Sequence, residues 1–204
     1  MFYQLNKVTN YQPVLSVDNF LTESELDKLN LQFNKVKTEA AIAGVASDAI
    51  KNSDDYLKAV NDSHIARKSN IFWCTDPEFS WVYDKISIAI NHVNLTNYNK
   101  VLYGIEALQY TEYDSTYTGF YKPHVDCGSE QFPLIRSLSF SLQLSREGDY
   151  TGGDVLIYHE GNTIKANKTY GAITFFDSKI LHEVTPVTSG FRKSLVGWIV
   201  GPRV

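Results

Sequence analysis

Apolar positions recur at helical spacing in the first part of the chain and alternate strictly beyond about residue 100. In "LTESELDKLNLQFNKV", Leu26, Leu29, Phe33 and Val36 mark one helical face. Thr22 followed by Glu25 forms a capping box, so a helix is expected over roughly 23 to 38. The small and polar stretch Ala40 to Ser69 lacks a clear period and reads as a long irregular excursion with short helical turns, a candidate lid. Phe79, Val82, Ile86, Ala89, Ile90 and Val93 then predict an amphipathic helix from Pro77 to about Leu95.

After that point the pattern is one of strands. In "SLSFSLQLS", Leu138, Phe140, Leu142 and Leu144 alternate with Ser and Gln, giving a strand with one packed face. Further strands are expected at "YGIEALQYTEY", "DVLIYH", "NTIKAN", "GAITFFD", "LHEVTPV" and "RKSLVGWIV", separated by turns such as Thr151-Gly152-Gly153 and Ser189-Gly190. Many short strands without interleaved helices predict an antiparallel sandwich or barrel. The fold class is therefore mainly β with flanking helices. The expected organisation is a single domain over 1–204, with 1–99 as helical support and loop and 100–204 as the β core.

Composition narrows the function classes. An apolar share of 43% in 204 residues supplies one large core. The net charge is −4 with no Lys/Arg block, which disfavours a nucleic-acid partner. No signal-like or membrane-spanning apolar run is evident, so no membrane partner and a soluble, cytoplasmic protein are expected. Two cysteines, Cys74 and Cys127, fit a reducing compartment, and Cys127 reads as a small filler residue.

The candidate chemistry begins at "KPHVDC". Chance supplies about half of one His-x-acid triplet in such a chain, so the pair needs context. On a strand, His124 and Asp126 point to one side, with Val125 turned away into packing. His182, entering a late strand in "SKILHEV", is the third candidate. Two imidazoles and one carboxylate leave three octahedral positions open, the arrangement of non-haem Fe(II) oxygenases, whereas a structural zinc site needs four closed ligands. His64, His92 and His159 read as structural or solvated. Arg192 lies on an otherwise apolar strand and calls for a carboxylate partner, which a small dicarboxylate bound to the metal could provide.

Four ordered blocks, "EYDSTYTGFYKPHVD", "RSLSFSLQLS", "YTGGDVLIY" and "GAITFFDSKILHEVTPVTSGFRKSLVGWIVGP", resemble the prolyl-4-hydroxylase-like Fe(II)/2-oxoglutarate-dependent dioxygenases over roughly residues 100 to 202. The resemblance implies a double-stranded β-helix (jelly-roll, cupin-like) core. It implies that His124, Asp126 and His182 hold Fe(II), and that Arg192 pairs with 2-oxoglutarate, assisted by Ser194. Tyr113 is implied as a second cosubstrate contact, with Tyr110 or Tyr121 as alternatives because the loop to His124 is slightly long. Arg136 and Trp198 match substrate-groove positions. An Arg rather than a Lys for the cosubstrate resembles the oxygen-sensor and bacterial branches. The implied activity is hydroxylation of a prolyl residue in a peptide or protein substrate, with 2-oxoglutarate and O2 consumed, succinate and CO2 released, and ascorbate as reductant. The alternatives are hydroxylation of a free amino acid or other small molecule, or a non-catalytic metal-binding jelly-roll module.

Overall fold

The computed structural model describes residues 11–46, 66–127 and 134–203. The predicted first helix is present as α1, Glu23–Ala46, and runs eight residues further than the apolar period suggests. Its start is the expected capping box: Thr22 N–H donates to the Glu25 carboxylate at 2.9 Å, and Glu25 N–H donates back to the Thr22 hydroxyl at 3.4 Å. The candidate lid falls largely outside the described residues.

The second helix divides into three segments. Pro77–Phe79 is a 3-10 turn capped by Asp76, α2 covers Ser80–Val93, and Asn94–Tyr98 is a π-helical turn closed by Asn99 in the left-handed region. The Tyr98 hydroxyl donates to the Phe175 carbonyl at 2.9 Å, tying this end of the helical layer to the sheet.

The strands are β1 (Val14–Val17), β2 (Arg67–Lys68), β3 (Asn70–Cys74), β4 (Gly104–Ile105), β5 (Leu108–Asp114), β6 (Phe120–His124), β7 (Leu134–Gln143), β8 (Tyr150–Gly152), β9 (Val155–His159), β10 (Asn162–Lys165), β11 (Ile173–Asp177), β12 (Leu181–Val184) and β13 (Val187–Pro202). Among the described residues they form two antiparallel sheets. An eight-stranded sheet has the order β1-β11-β7-β13-β5-β3, with β4 and β8 also on β13. A five-stranded sheet has the order β10-β9-β12-β6-β2. This is the double-stranded β-helix. Strands β1, β2 and β3 had no signal in the apolar pattern, and they show that the first hundred residues contribute strands to both sheets as well as helices.

Two apolar layers follow from strand alternation. On the outer face of the large sheet, Leu108, Leu138, Phe140, Leu142, Phe175, Leu195 and Ile199 pack against Leu26, Leu29, Phe33, Val82, Ile86 and Ile90 of the helices. Fully burying side chains of this size stabilises by about 1.5–3 kcal/mol each, so this layer is the main anchor of the fold. Between the sheets a smaller cluster includes Tyr113, Tyr150, Val155, Ile157, Phe176, Val184 and Val187. The inner face of the large sheet is unusually polar: Gln109, Thr111, Ser139, Arg192 and Ser194 are all buried there. No helix among the described residues is long and apolar enough to cross a membrane, a statement that leaves β-barrels aside.

Candidate metal and anion site

Strand pairing brings the three expected ligands together. β12 pairs with β6 so that His182 lies opposite His124, and Asp126 follows two residues after the end of β6. The ligand atoms of His124, Asp126 and His182 all lie within 4.8 Å of one another. Asp126 is not on the strand, as alternation suggests, but in the turn beyond it, where its N–H donates to the Ser178 carbonyl at 2.8 Å. Val125 is correspondingly 47% exposed rather than packed, because the chain has left the sheet by that point.

Hydrogen bonds set the imidazole orientations. His124 Nδ1 lies 2.8 Å from the Lys122 carbonyl and His182 Nδ1 2.9 Å from the Ile180 carbonyl, a relation two residues back in both cases. A carbonyl can only accept, so each Nδ1 carries a proton and donates it, which turns each Nε2 toward the carboxylate. The two Nε2 atoms converge on Asp126, at 3.6 Å from Oδ1 for His124 and 3.4 Å from Oδ2 for His182. Burial, and then the neighbouring His182, pushes the His124 pKa below its usual value, which keeps the ring neutral and able to ligate. For Asp126, burial alone would raise the pKa. The adjacent His182 and hydrogen bonds from Trp198 and Ser139 outweigh it and bring the carboxyl down to about 2.

The carboxylate is also fixed from behind. The Ser139 hydroxyl donates to Asp126 Oδ2 at 2.8 Å and lies 2.8 Å from the Ser178 hydroxyl. Neither serine stood out in the sequence, where Ser139 looks like the solvent-facing partner of an alternating strand. Two imidazoles and one carboxylate, each oriented by hydrogen bonds from the protein, fit a divalent cation that prefers N and O donors and leaves positions open.

Arg192 occupies the other end of the same pocket. It pairs in register with Tyr113 across β5 and β13, is 3% exposed, and donates from Nη1 to Ser194 Oγ at 3.2 Å. Its guanidinium carbon is 5.7 Å from the Tyr113 ring centre. Among the described residues no carboxylate lies within ion-pair distance of it. The Gly-Gly turn explains how the side chain fits: a Cβ on Gly153, at φ +60°, would sit 2.9 Å from Arg192 Cδ, and one on Gly152 would sit 2.1 Å from the Pro186 carbonyl oxygen.

The remaining expected residues separate clearly. Tyr110 points to the opposite face, stacked on Phe33 at 4.1 Å, so β-strand alternation excludes it from the pocket. Tyr121 lines the pocket with its ring 3.5 Å from that of His124. Arg136 forms a bidentate pair with Glu106, the closest contact being 2.7 Å, and its guanidinium lies 3.9 Å over the Trp198 ring. Glu106 was not anticipated. Trp198 is mostly buried, lines the pocket and has its ring centre 6.2 Å from that of the half-exposed Trp73. Arg67, at the end of the stretch expected to be irregular, also lines the pocket and carried no sequence signal.

Comparison with known proteins agrees with this geometry. Residues 108–200 match the model of the 2OG-Fe(II) oxygenase superfamily. A PKHD-type hydroxylase of Hyphomonas neptunium is 39% identical over 82 residues, a match spanning 39% of this chain and only 37% of that relative. One of Crocosphaera subtropica is 26% identical over 187 residues, spanning 91% of this chain and 78% of the relative. The crystal structure of a Pseudomonas putida prolyl-4-hydroxylase superposes with a TM-score of 0.63 at 18% identity, over 94% of this chain and 93% of the other. The sequence likeness to 2OG-Fe(II) oxygenases therefore covers residues 108–200, and the likeness in fold to a prolyl-4-hydroxylase covers 94% of the chain.

Proposed function

We propose that this protein is an Fe(II)/2-oxoglutarate-dependent dioxygenase that hydroxylates a prolyl residue of a peptide or protein, releasing succinate and CO2. One observation carries the reading: a pocket joins a preoriented His124–Asp126–His182 cluster to a buried guanidinium, Arg192, that lacks a carboxylate among the described residues. A buried cation without a counter-charge is costly, and a ligand carboxylate relieves that cost.

In this reading His124, Asp126 and His182 would hold Fe(II), and Arg192 would take a carboxylate of 2-oxoglutarate. Bound together, the metal and cosubstrate supply the oxidation of an unactivated C–H bond by O2. The protein's own residues bind, orient and exclude water. Arg192, steadied by Ser194, would receive the far carboxylate of the cosubstrate, and Tyr113, whose ring centre lies 5.7 Å from that guanidinium, would supply a second donor. Tyr121 covers one face of His124 and shields it from solvent. Ser139 and Trp198 hold the Asp126 carboxylate in one orientation. Arg136 and Trp198 form a flat cationic and aromatic shelf beside the pocket on which the substrate chain rests. Ascorbate serves as reductant for the iron. Two free thiols, Cys74 and Cys127, support a reducing, cytoplasmic location.

Hydroxylation draws on the similarity to PKHD-type hydroxylases, and the prolyl substrate on the likeness in fold to a prolyl-4-hydroxylase. The test is succinate release by the full chain with Fe(II), 2-oxoglutarate, O2 and ascorbate, together with Pro-containing peptides read by mass. Metal- and 2-oxoglutarate-dependent succinate with a one-oxygen mass gain on a peptide is expected. Absence of such release sinks the oxygenase reading, and modification of free proline alone removes only the peptidyl part.

A further inference from the structure

The pocket holds a second guanidinium whose charge the oxygenase reading does not use. Arg67 on β2 donates from Nε to Ser69 Oγ at 2.6 Å, and from Nη2 to Gln109 Oε1 at 2.9 Å and Thr111 Oγ1 at 3.2 Å. These partners are all neutral. Arg136 and Arg146, by contrast, each pair with a carboxylate, Glu106 and Glu23, at 2.7 Å. Among the described residues no acid lies within ion-pair distance of Arg67, although it is partly buried in the pocket wall.

Charge balance then points to a ligand. The charged side chains lining the pocket are Arg67, Arg192 and Asp126. Bound Fe(II) and doubly ionised 2-oxoglutarate cancel one another, and Asp126 offsets Arg192, which leaves Arg67 as an uncompensated cation in a partly desolvated site. Three neutral hydrogen bonds hold the guanidinium in place without neutralising it. This is how a binding group is preorganised.

The position of Arg67 limits where the counter-charge can sit. Its guanidinium carbon is 4.8 Å from the centre of the Tyr121 ring, and that same ring lies 3.5 Å from the ring of the metal-ligand candidate His124. Arg67 and His124 therefore share Tyr121 as a common neighbour, which puts Arg67 beside the metal end of the pocket. We infer that Arg67 receives a carboxylate of the substrate, and that the substrate is an acid whose carboxylate lies within one residue of the oxidised carbon. The inference rests on the oxygenase reading, and it supplies what that reading leaves open, the charge of the substrate. The carboxylate has two possible sources, the main-chain carboxylate of a free or C-terminal residue, or an acidic side chain next to the oxidised residue.

Calorimetry on the full chain loaded with Fe(II) and 2-oxoglutarate under argon distinguishes them. The probes are N-acetyl-proline against its amide, and an acetylated, amidated prolyl-glutamate dipeptide against the prolyl-glutamine one. In at least one pair the acid is expected to bind about tenfold tighter than the amide, as charge-assisted pairing with Arg implies, and the responding pair identifies the source. Arg67→Gln is expected to erase that preference, and Arg67→Lys to retain it within about threefold because the charge remains. Circular dichroism and thermal melting of both variants check the fold. Equal binding of acid and amide by the wild type, including no binding of either at millimolar concentration, overturns the inference, and so does a preference that survives Arg67→Gln. Succinate release by the wild type without any probe is measured first. Its absence condemns the oxygenase reading, whereas its presence without an acid preference condemns only the role of Arg67.

Discussion

The two ends of the pocket solve the problem of buried polarity in opposite ways. At the metal end every polar group is held by protein: each imidazole Nδ1 by a carbonyl, Asp126 by Ser139, Trp198 and the Ser178 backbone. At the other end Arg192 has one neutral hydroxyl and the face of an aromatic ring. The first end is complete in its protein partners, with its three ligand atoms already gathered. The second is left short of a negative charge and is completed only by a ligand. Fold stability and ligand binding should therefore separate when each end is altered.

The largest effect is expected at the finished end. Asp126→Asn keeps the shape but removes the charge that makes the three donors a cation site. Iron should no longer copurify or remain bound after gel filtration, and 2-oxoglutarate turnover should vanish. Stoichiometric iron in this variant would show that the two imidazoles suffice and that Asp126 is structural. Arg192→Leu tests the unfinished end. Iron binding should persist, while 2-oxoglutarate affinity falls by about a hundredfold, as expected for losing a buried charge partner. Because Arg192 lacks a carboxylate partner in the described protein, the ligand-free melting temperature should not fall, and the rise that wild type gains on adding 2-oxoglutarate should disappear. A marked loss of ligand-free stability would mean that Arg192 is already paired.

The contrast between the ends also explains what was legible in the chain. The strands with apolar alternation, above all Leu138, Phe140, Leu142 and Leu144, were readable because their outer face meets the helices. Arg192 was readable because a charge within an apolar run violates that pattern. Ser139, Gln109 and Thr111 were not readable. Their polar side chains obey the alternation rule and look solvent-facing, yet they line or support an internal pocket whose second wall comes from a distant part of the sequence. Glu106 and Arg67 were hidden for the same reason, since a charge acquires meaning only with its neighbour. β2 and β3 were missed because a strand of two half-buried residues, and one of five that is mostly exposed, carry too little period, and pairing with β6 and β5 creates them.

Smaller changes behind each end should sharpen the separation. Ser139→Ala removes the hydroxyl that holds Asp126 Oδ2 and leaves the three ligands in place. Supporting hydrogen bonds of this kind are worth about tenfold or more in metal affinity, so a competitive chelator titration should show weaker iron binding, with 2-oxoglutarate affinity measured at saturating iron nearly unchanged. If iron affinity is unaffected, Trp198 alone orients the carboxylate.

Gly153→Ala acts on the opposite end without touching a polar group. The added Cβ meets Arg192 Cδ and Val187 Cγ2, both at 2.9 Å, from a backbone at φ +60°. The left-handed conformation costs a non-glycine residue about 1–2 kcal/mol, and that part lowers the melting temperature whatever Arg192 does. The clash adds a displacement of the guanidinium stem. The torsions beyond Cδ can turn the guanidinium back toward its place, so 2-oxoglutarate affinity should fall by only a few-fold, roughly the effect of about 1 kcal/mol, while iron affinity stays constant. Equal losses of iron and 2-oxoglutarate affinity would show that the Gly-Gly turn positions the whole inner face. A loss confined to 2-oxoglutarate would show that the turn serves the arginine, and would explain why a glycine pair lies so far along the chain from the residue it makes room for.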